Sequence, residues 1–278
     1  MILSGTSITV LAMRRFGLTL IELLVAIGVV VVLIAILTPS VHRSRLQAKA
    51  TICTSNIRQL SFALCTFVNE TGRFPYGFDD MRNSPPPGGY AGYNQYDRMG
   101  WWWFNYLEGF YKKSMGNRTV LQCPSKYLQH PKLEDDILCG NYGINLSICK
   151  MSAGTANEEF IGEPRASSEV TRPSRTLLLL DSGYAIISWW HAADEPPAIL
   201  GNSTIEDTAY VPGLKINKDR LLWQGGGQNY DALYGRHPGK TVNIGFLDGH
   251  VARNSADDLL VEKNSNGYKN LVPLWCPK

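Results

Sequence analysis

From Leu18 to Leu37 the chain reads LTLIELLVAIGVVVVLIAIL, 20 residues whose only charge is Glu22. At a rise of 1.5 Å per residue, a helix of that length spans about 30 Å, the thickness of a bilayer's hydrocarbon core. Val29 to Val32 is a β-branched run, poor for a helix in water. In lipid every backbone polar group must be satisfied within the segment, so a lone span has to be helical. Arg14 and Arg15 precede it, and His42, Arg43 and Arg45 follow it, so flanking charge alone does not orient it. The segment is longer than the roughly 7–15 apolar residues of a secretory signal peptide, and Thr38-Pro39-Ser40 lacks a small-residue cleavage site. A plain anchor would explain the length but not the carboxylate. An ionisable group inside a span costs roughly 2.5–3.5 kcal/mol, which makes Glu22 a functional residue by default. The bland alternative is an interfacial Glu22 that snorkels to water.

The average composition hides this segment. The chain has 278 residues, 44% hydrophobic and 18% charged, with a formal charge of +3. The charged share is below the roughly 25% of an average soluble domain, which excludes a disordered polyampholyte and a nucleic-acid binder acting through bulk charge. A mean hydropathy of -0.13 excludes a multi-span membrane protein. The length supports a substantial core in one large or two small domains.

Beyond Pro39, where a helix loses one hydrogen bond and is expected to kink, the sequence turns amphipathic. Leu46, Cys53, Ile57, Leu60, Leu64 and Phe67 recur at helical spacing, with Arg43, Lys49 and Arg58 largely off that stripe. Gly72 supplies a stop and Pro75 follows. One long helix is therefore expected from about Leu18 to about Thr71, with Cys53 as a buried core residue.

Residues 73–278 read as a β-rich head. Thr176 to Leu180, ending at Asp181, has the character of a buried strand. Thr241 to Asp248 alternates, with Val242, Ile244 and Phe246 on one face and Asn243, Gly245 and Leu247 on the other. Asp248-Gly249 then turns the chain into a returning strand, His250 to Arg253. Ser84 to Tyr90 is a loop, and Trp101 to Tyr111 is apolar enough to require burial or a ligand. The expected fold class is α+β, a long N-terminal helix packed on an antiparallel sheet.

The run Arg14-Arg15-Phe16-Gly17-Leu18-Thr19-Leu20-Ile21-Glu22-Leu23-Leu24-Val25 resembles the N-terminal signature of type IV pilins and type II secretion pseudopilins. The resemblance implies cleavage after Gly17 by a prepilin peptidase, N-methylation of Leu18, and a glutamate, here Glu22, at the fifth position of the mature chain. Leu18 stands where phenylalanine is usual, and Phe16 before the glycine is also less common. Cleavage there keeps the apolar segment as an assembly helix and creates a cationic amine at Leu18. A neighbouring subunit's Glu22 can pair that amine and set the register between subunits. The implied organisation is a leader at 1–17, a transmembrane assembly helix at 18–38, an amphipathic continuation at 39–72 and a head at 73–278. Met13 followed by Arg-Arg-Phe-Gly has the form of this family's short basic leaders, so translation is expected to start at Met13.

The head resembles a pseudopilin-like subfamily named for a histidine, nine intervening residues and Asp-Gly. The matching residues are His237 and Asp248-Gly249, here with ten residues between, Pro238 to Leu247. Further matching blocks begin at Cys53, Thr71, Cys123-Pro124, Asn141 and Pro173. The resemblance implies a pseudopilus or pilus-like fibre, with a prepilin peptidase, other pilin-like subunits and an inner-membrane assembly platform as partners. It places the protein in the bacterial inner membrane with its head outside the cytoplasm.

Head chemistry is harder to read. His191, His237, His250, Asp181 and Asp248 are candidates for an acid–base or metal cluster, but no HExxH, GxSxG, P-loop or GxGxxG motif occurs. Structural roles for His237 and Asp248 are favoured, so no catalytic residue and no metal ligand is assigned. The resemblance to the major type II pseudopilins, which bind calcium in the head, implies a candidate calcium site; Asp194, Glu195, Asp207, Asp219 and Asp231 could supply some ligands, although no spacing defines a loop. Six cysteines are present without a C-x-x-C. Cys53 and Cys65, about 18 Å apart along one helix, cannot pair, whereas Cys139 and Cys149 form a local candidate pair. Trp101 to Trp103, Trp189-Trp190, Trp223 and Trp275 are expected in the core. Two rivals to a structural subunit follow: a membrane-tethered glycan binder using these tryptophans, and a tethered hydrolase using His237, Asp248 and His250.

Overall fold

The computed structural model of the protein describes residues 19–82, 84–86, 99–107, 109, 118–128, 136–153, 158–196, 209–220, 222 and 228–277. The leader, Met13, Gly17 and Leu18 lie outside the described residues, as do Asp207 and Trp223. The chain divides into two compact units, Met1–Arg45 and Leu46–Lys278.

In the first unit the helix α1 (Leu20–Thr71) begins. Residues 20–45 are all exposed, apolar side chains included. It is one helix long and apolar enough to cross a membrane. Its start is a capping box: Thr19 Oγ1 accepts from the Glu22 N–H at 3.2 Å, and the Glu22 carboxylate accepts from the Thr19 N–H at 2.9 Å. The Thr19 hydroxyl also donates to that carboxylate at 2.9 Å. α1 runs through Pro39 without ending.

In the second unit, α1 buries Ala50, Cys53, Asn56, Ile57, Leu60, Ser61, Ala63, Leu64 and Val68. The expected stripe holds at Cys53, Ile57, Leu60 and Leu64, while Leu46 and Phe67 are half-buried at its margins. The helix ends where Gly72, at φ +76°, donates its N–H to Val68 O at 2.7 Å.

The strands are β1 (Phe78–Asp79), β2 (Trp101–Trp102), β3 (Tyr142–Asn145), β4 (Leu177–Asp181), β5 (Ile186–Ile187), β6 (Thr241–Phe246), β7 (Val251–Ser255), β8 (Glu262–Asn264) and β9 (Gly267–Lys269). The main sheet has the order β5-β3-β4-β6-β7, antiparallel except for the parallel β3–β5 pair. β1–β2 and β8–β9 are separate antiparallel ribbons. A second helix, α2 (Gln228–Tyr234), precedes β6.

β4 is buried along its whole length, as its leucine run predicts. β6 is the expected alternating strand, and Val242 through Phe246 are all buried on both faces. Asn243 and Gly245 face α1, since Thr54 Oγ1 bonds Asn243 Oδ1 at 2.7 Å and a Cβ on Gly245 would meet Ser61 and Ile57. β6 is covered on both faces, so its polar and small residues mark close helix approach rather than solvent. The expected β6–β7 hairpin is present, with Gly249 at φ +87° and the Asp248 carboxylate accepting the His250 N–H at 3.1 Å.

Candidate functional site

Where α1 crosses the sheet, four distant segments deliver polar side chains to one buried point. Cys53 comes from α1. Cys123 follows a short 3₁₀ turn, and Asn141 Oδ1 accepts its N–H at 2.9 Å. Asp181 ends β4. His237 lies between α2 and β6, past Gly235, whose φ of +74° closes the helix and turns Arg236 and His237 inward. The Cys53 thiol lies 3.0 Å from Asp181 Oδ1 and the two sulfurs are 3.7 Å apart. His237 Nε2 is 3.1 Å from Asp181 Oδ2. All four donor atoms lie within 4.8 Å of one another, and all four residues are buried.

A further set of bonds fixes these groups. Asp181 Oδ2 accepts from the Asn243 N–H at 2.7 Å and from its side-chain amide at 3.1 Å. The neighbouring Arg236 is tied to Asp231 by Nε at 2.8 Å and Nη2 at 2.7 Å. It also donates to Asn141 O at 2.8 Å and Ser182 O at 2.7 Å, while the Tyr210 hydroxyl donates to Asp231 at 2.8 Å. Every atom of this Arg–Asp pair is thus held, as a buried ion pair requires.

The electrostatics separate the two thiols. Burial pushes the Cys53 thiol well up, helped by its neighbours Cys123 and Asp181. Burial also opposes ionisation of Cys123, but hydrogen bonds from Cys53 and His237 bring it down to about 6. Burial disfavours the imidazolium of His237, yet the Asp181 carboxylate raises it to about 9. Asp181 is lowered against its own burial by His237 and Arg236. In chemical terms the centre brings two cysteine sulfurs, an imidazole and a carboxylate into contact.

The residues singled out in the sequence are distributed as follows. Glu22 caps α1, and Gly17 and Leu18 lie outside the described residues. His237 pairs with Asp181, whereas Asp248 pairs with the half-exposed His250 at 2.5 Å. His237 and His250 flank opposite ends of β6, about 20 Å of strand, so they do not approach across the hairpin. Of the acidic residues named for calcium, Asp194 and Glu195 are engaged by Lys263 and Asp231 by Arg236, and Asp207 lies outside the described residues. None of the six cysteines is in a disulfide. The expected Cys139–Cys149 pair is not formed, because the two residues lie beyond opposite ends of β3.

Trp102, Trp103, Trp189, Trp190 and Trp275 are buried, as expected of core residues. Trp101 is half-buried with the Arg82 guanidinium 4.0 Å from its ring centroid. The four-residue cluster was not assembled from sequence, although Cys53, Cys123, Asp181 and His237 each stood in a block singled out there. Compared with known protein families, characterised proteins and solved structures, the chain matches none.

Proposed function

We propose that the chain is a pilin-like structural subunit. The observation that carries this is α1 itself, a single 52-residue helix. Its apolar first half is wholly exposed, and its second half is the spine on which the sheet is built. A core helix of a soluble protein would bury the apolar half, and a removable signal would not continue into the core. The helix serves as a membrane span before assembly and as a packing element afterwards.

On this reading a prepilin peptidase cleaves after Gly17 and methylates Leu18. The protein rests in the inner membrane with its head outside the cytoplasm and is stacked with pilin-like subunits by an inner-membrane platform. The product is a type II secretion pseudopilus or a type IV pilus-like fibre. Head-to-tail contacts that do not close on themselves give such filaments. Glu22 pairs the Leu18 amine of an adjacent subunit and sets register. Its capping bonds to Thr19 hold the carboxylate at the helix start, where that amine arrives.

Assembly in cells carrying the peptidase and platform tests this reading. Glu22→Ala should accumulate in membranes at the wild-type level yet be missing from the sheared fibre fraction. Entry of this variant into fibres at wild-type abundance would remove Glu22 from assembly.

A further inference from the structure

We propose that Cys53, Cys123, Asp181 and His237 form a closed, four-coordinate site for a zinc-class divalent ion in the head. This is independent of how the chain is processed or assembled.

Geometry carries the proposal. In a tetrahedron the ligand–ligand edge is about 1.63 times the metal–ligand bond, so zinc–thiolate bonds of about 2.3 Å require sulfurs about 3.8 Å apart. The Cys53 and Cys123 sulfurs are 3.7 Å apart, far beyond a disulfide bond of about 2.05 Å. Zinc–nitrogen and zinc–oxygen bonds near 2.0–2.1 Å require an edge of about 3.3 Å. His237 Nε2 and Asp181 Oδ2 stand at 3.1 Å. Cys53 approaches the other carboxylate oxygen, Asp181 Oδ1, at 3.0 Å, so with either oxygen as the single ligand these contacts must adjust by about half an ångström to reach the corresponding edge.

The second observation is His237. Its side chain is fully buried, yet neither ring nitrogen makes an aligned hydrogen bond. A buried imidazole set beside two sulfurs and a carboxylate by charge and proximity rather than by aligned hydrogen bonds is unusual in a purely structural core. An ion at the centre of the four atoms would give Nε2 a directed partner.

The donor set selects the metal class. Two thiolates, an imidazole and one carboxylate suit a borderline-soft tetrahedral ion and disfavour calcium or magnesium, which take oxygen ligands. Outer contacts of the kind metal sites use are in place: both nitrogens of Asn243 fix the Asp181 carboxylate. Four protein ligands leave no open position, so the role is structural. The ion would join α1, the Cys123 loop, the end of β4 and the segment entering β6. This clips the amphipathic part of α1 that carries Cys53 to the sheet.

Metal analysis of the full chain, purified in detergent, tests the proposal. Zinc should be found at about one ion per chain, and Cys65→Ser, which lies outside the cluster, should retain it. Cys123→Ser and His237→Gln should each lose most of it. Because either variant could fail to fold, the wild-type protein provides a second readout. Chelation should lower its melting temperature, and zinc should restore it. Cobalt added to the chelated protein should give thiolate charge-transfer and tetrahedral ligand-field bands. A folded full chain without zinc that yields no such cobalt spectrum would overturn the site. So would a Cys53–Cys123 disulfide found by mass spectrometry.

Discussion

Gly245 on β6 lies directly beneath Ser61 of α1: a Cβ at Gly245 would stand 2.2 Å from Ser61 Oγ and 3.0 Å from Ile57 Cγ2. The missing side chain is what lets the helix sit this close to the sheet. Gly245→Ala should therefore cost about 1–3 kcal/mol through overpacking. In a Ser61→Ala background the cost should fall, because the nearest clashing atom is gone. Thermal unfolding of the four members of this mutant cycle checks both statements, and additive effects would place the clash elsewhere.

Arg236 and Asp231 form a buried ion pair, both side chains at 0% exposure. Arg236→Met leaves Asp231 as an uncompensated buried charge and should cost about 3–5 kcal/mol. Adding Asp231→Asn should recover part of that loss, since an amide has no charge to strand. Denaturant unfolding of the single and double variants measures the recovery.

His191 is held neutral. Burial depresses it to about 3, assisted by the positive charge of Arg220. Its Nδ1 accepts the Ser188 N–H at 3.1 Å, which requires an unprotonated nitrogen. The unfolded chain binds this proton near pH 6.5 and the folded protein only near 3. The contribution is thus fully present above pH 6.5 and declines as pH falls from there toward 3. His191→Asn keeps an acceptor for Ser188 and removes the titration. Its melting temperature should fall less steeply than that of the wild type between pH 6.5 and 4. Identical slopes would show that His191 is not a source of acid sensitivity.

The fold was legible where one residue pattern had one physical solution. The apolar run could only be a helix, Gly72 could only end it, and the leucines of β4 could only be a buried strand. Alternation predicted the two faces of β6 but could not show that α1 covers the polar one. That required knowing that Gly245 and Ser61 meet. The buried cluster was not assembled for a related reason. Cys53, Cys123, Asp181 and His237 are separated by 70, 58 and 56 positions, so no local spacing marks them as a set. Each alone had an ordinary explanation, as a core thiol, a loop cysteine, a strand end or a loop histidine. Only the pairing of β3, β4 and β6 under α1 brings them together.

The account's central claim is that the exposed apolar helix is a processed assembly helix. The mass of the N-terminal peptide tests it most directly, measured on protein recovered from membranes of cells that contain a prepilin peptidase. The account predicts a chain beginning at N-methylated Leu18. A mature protein that still carries Arg14 and Arg15 would contradict it.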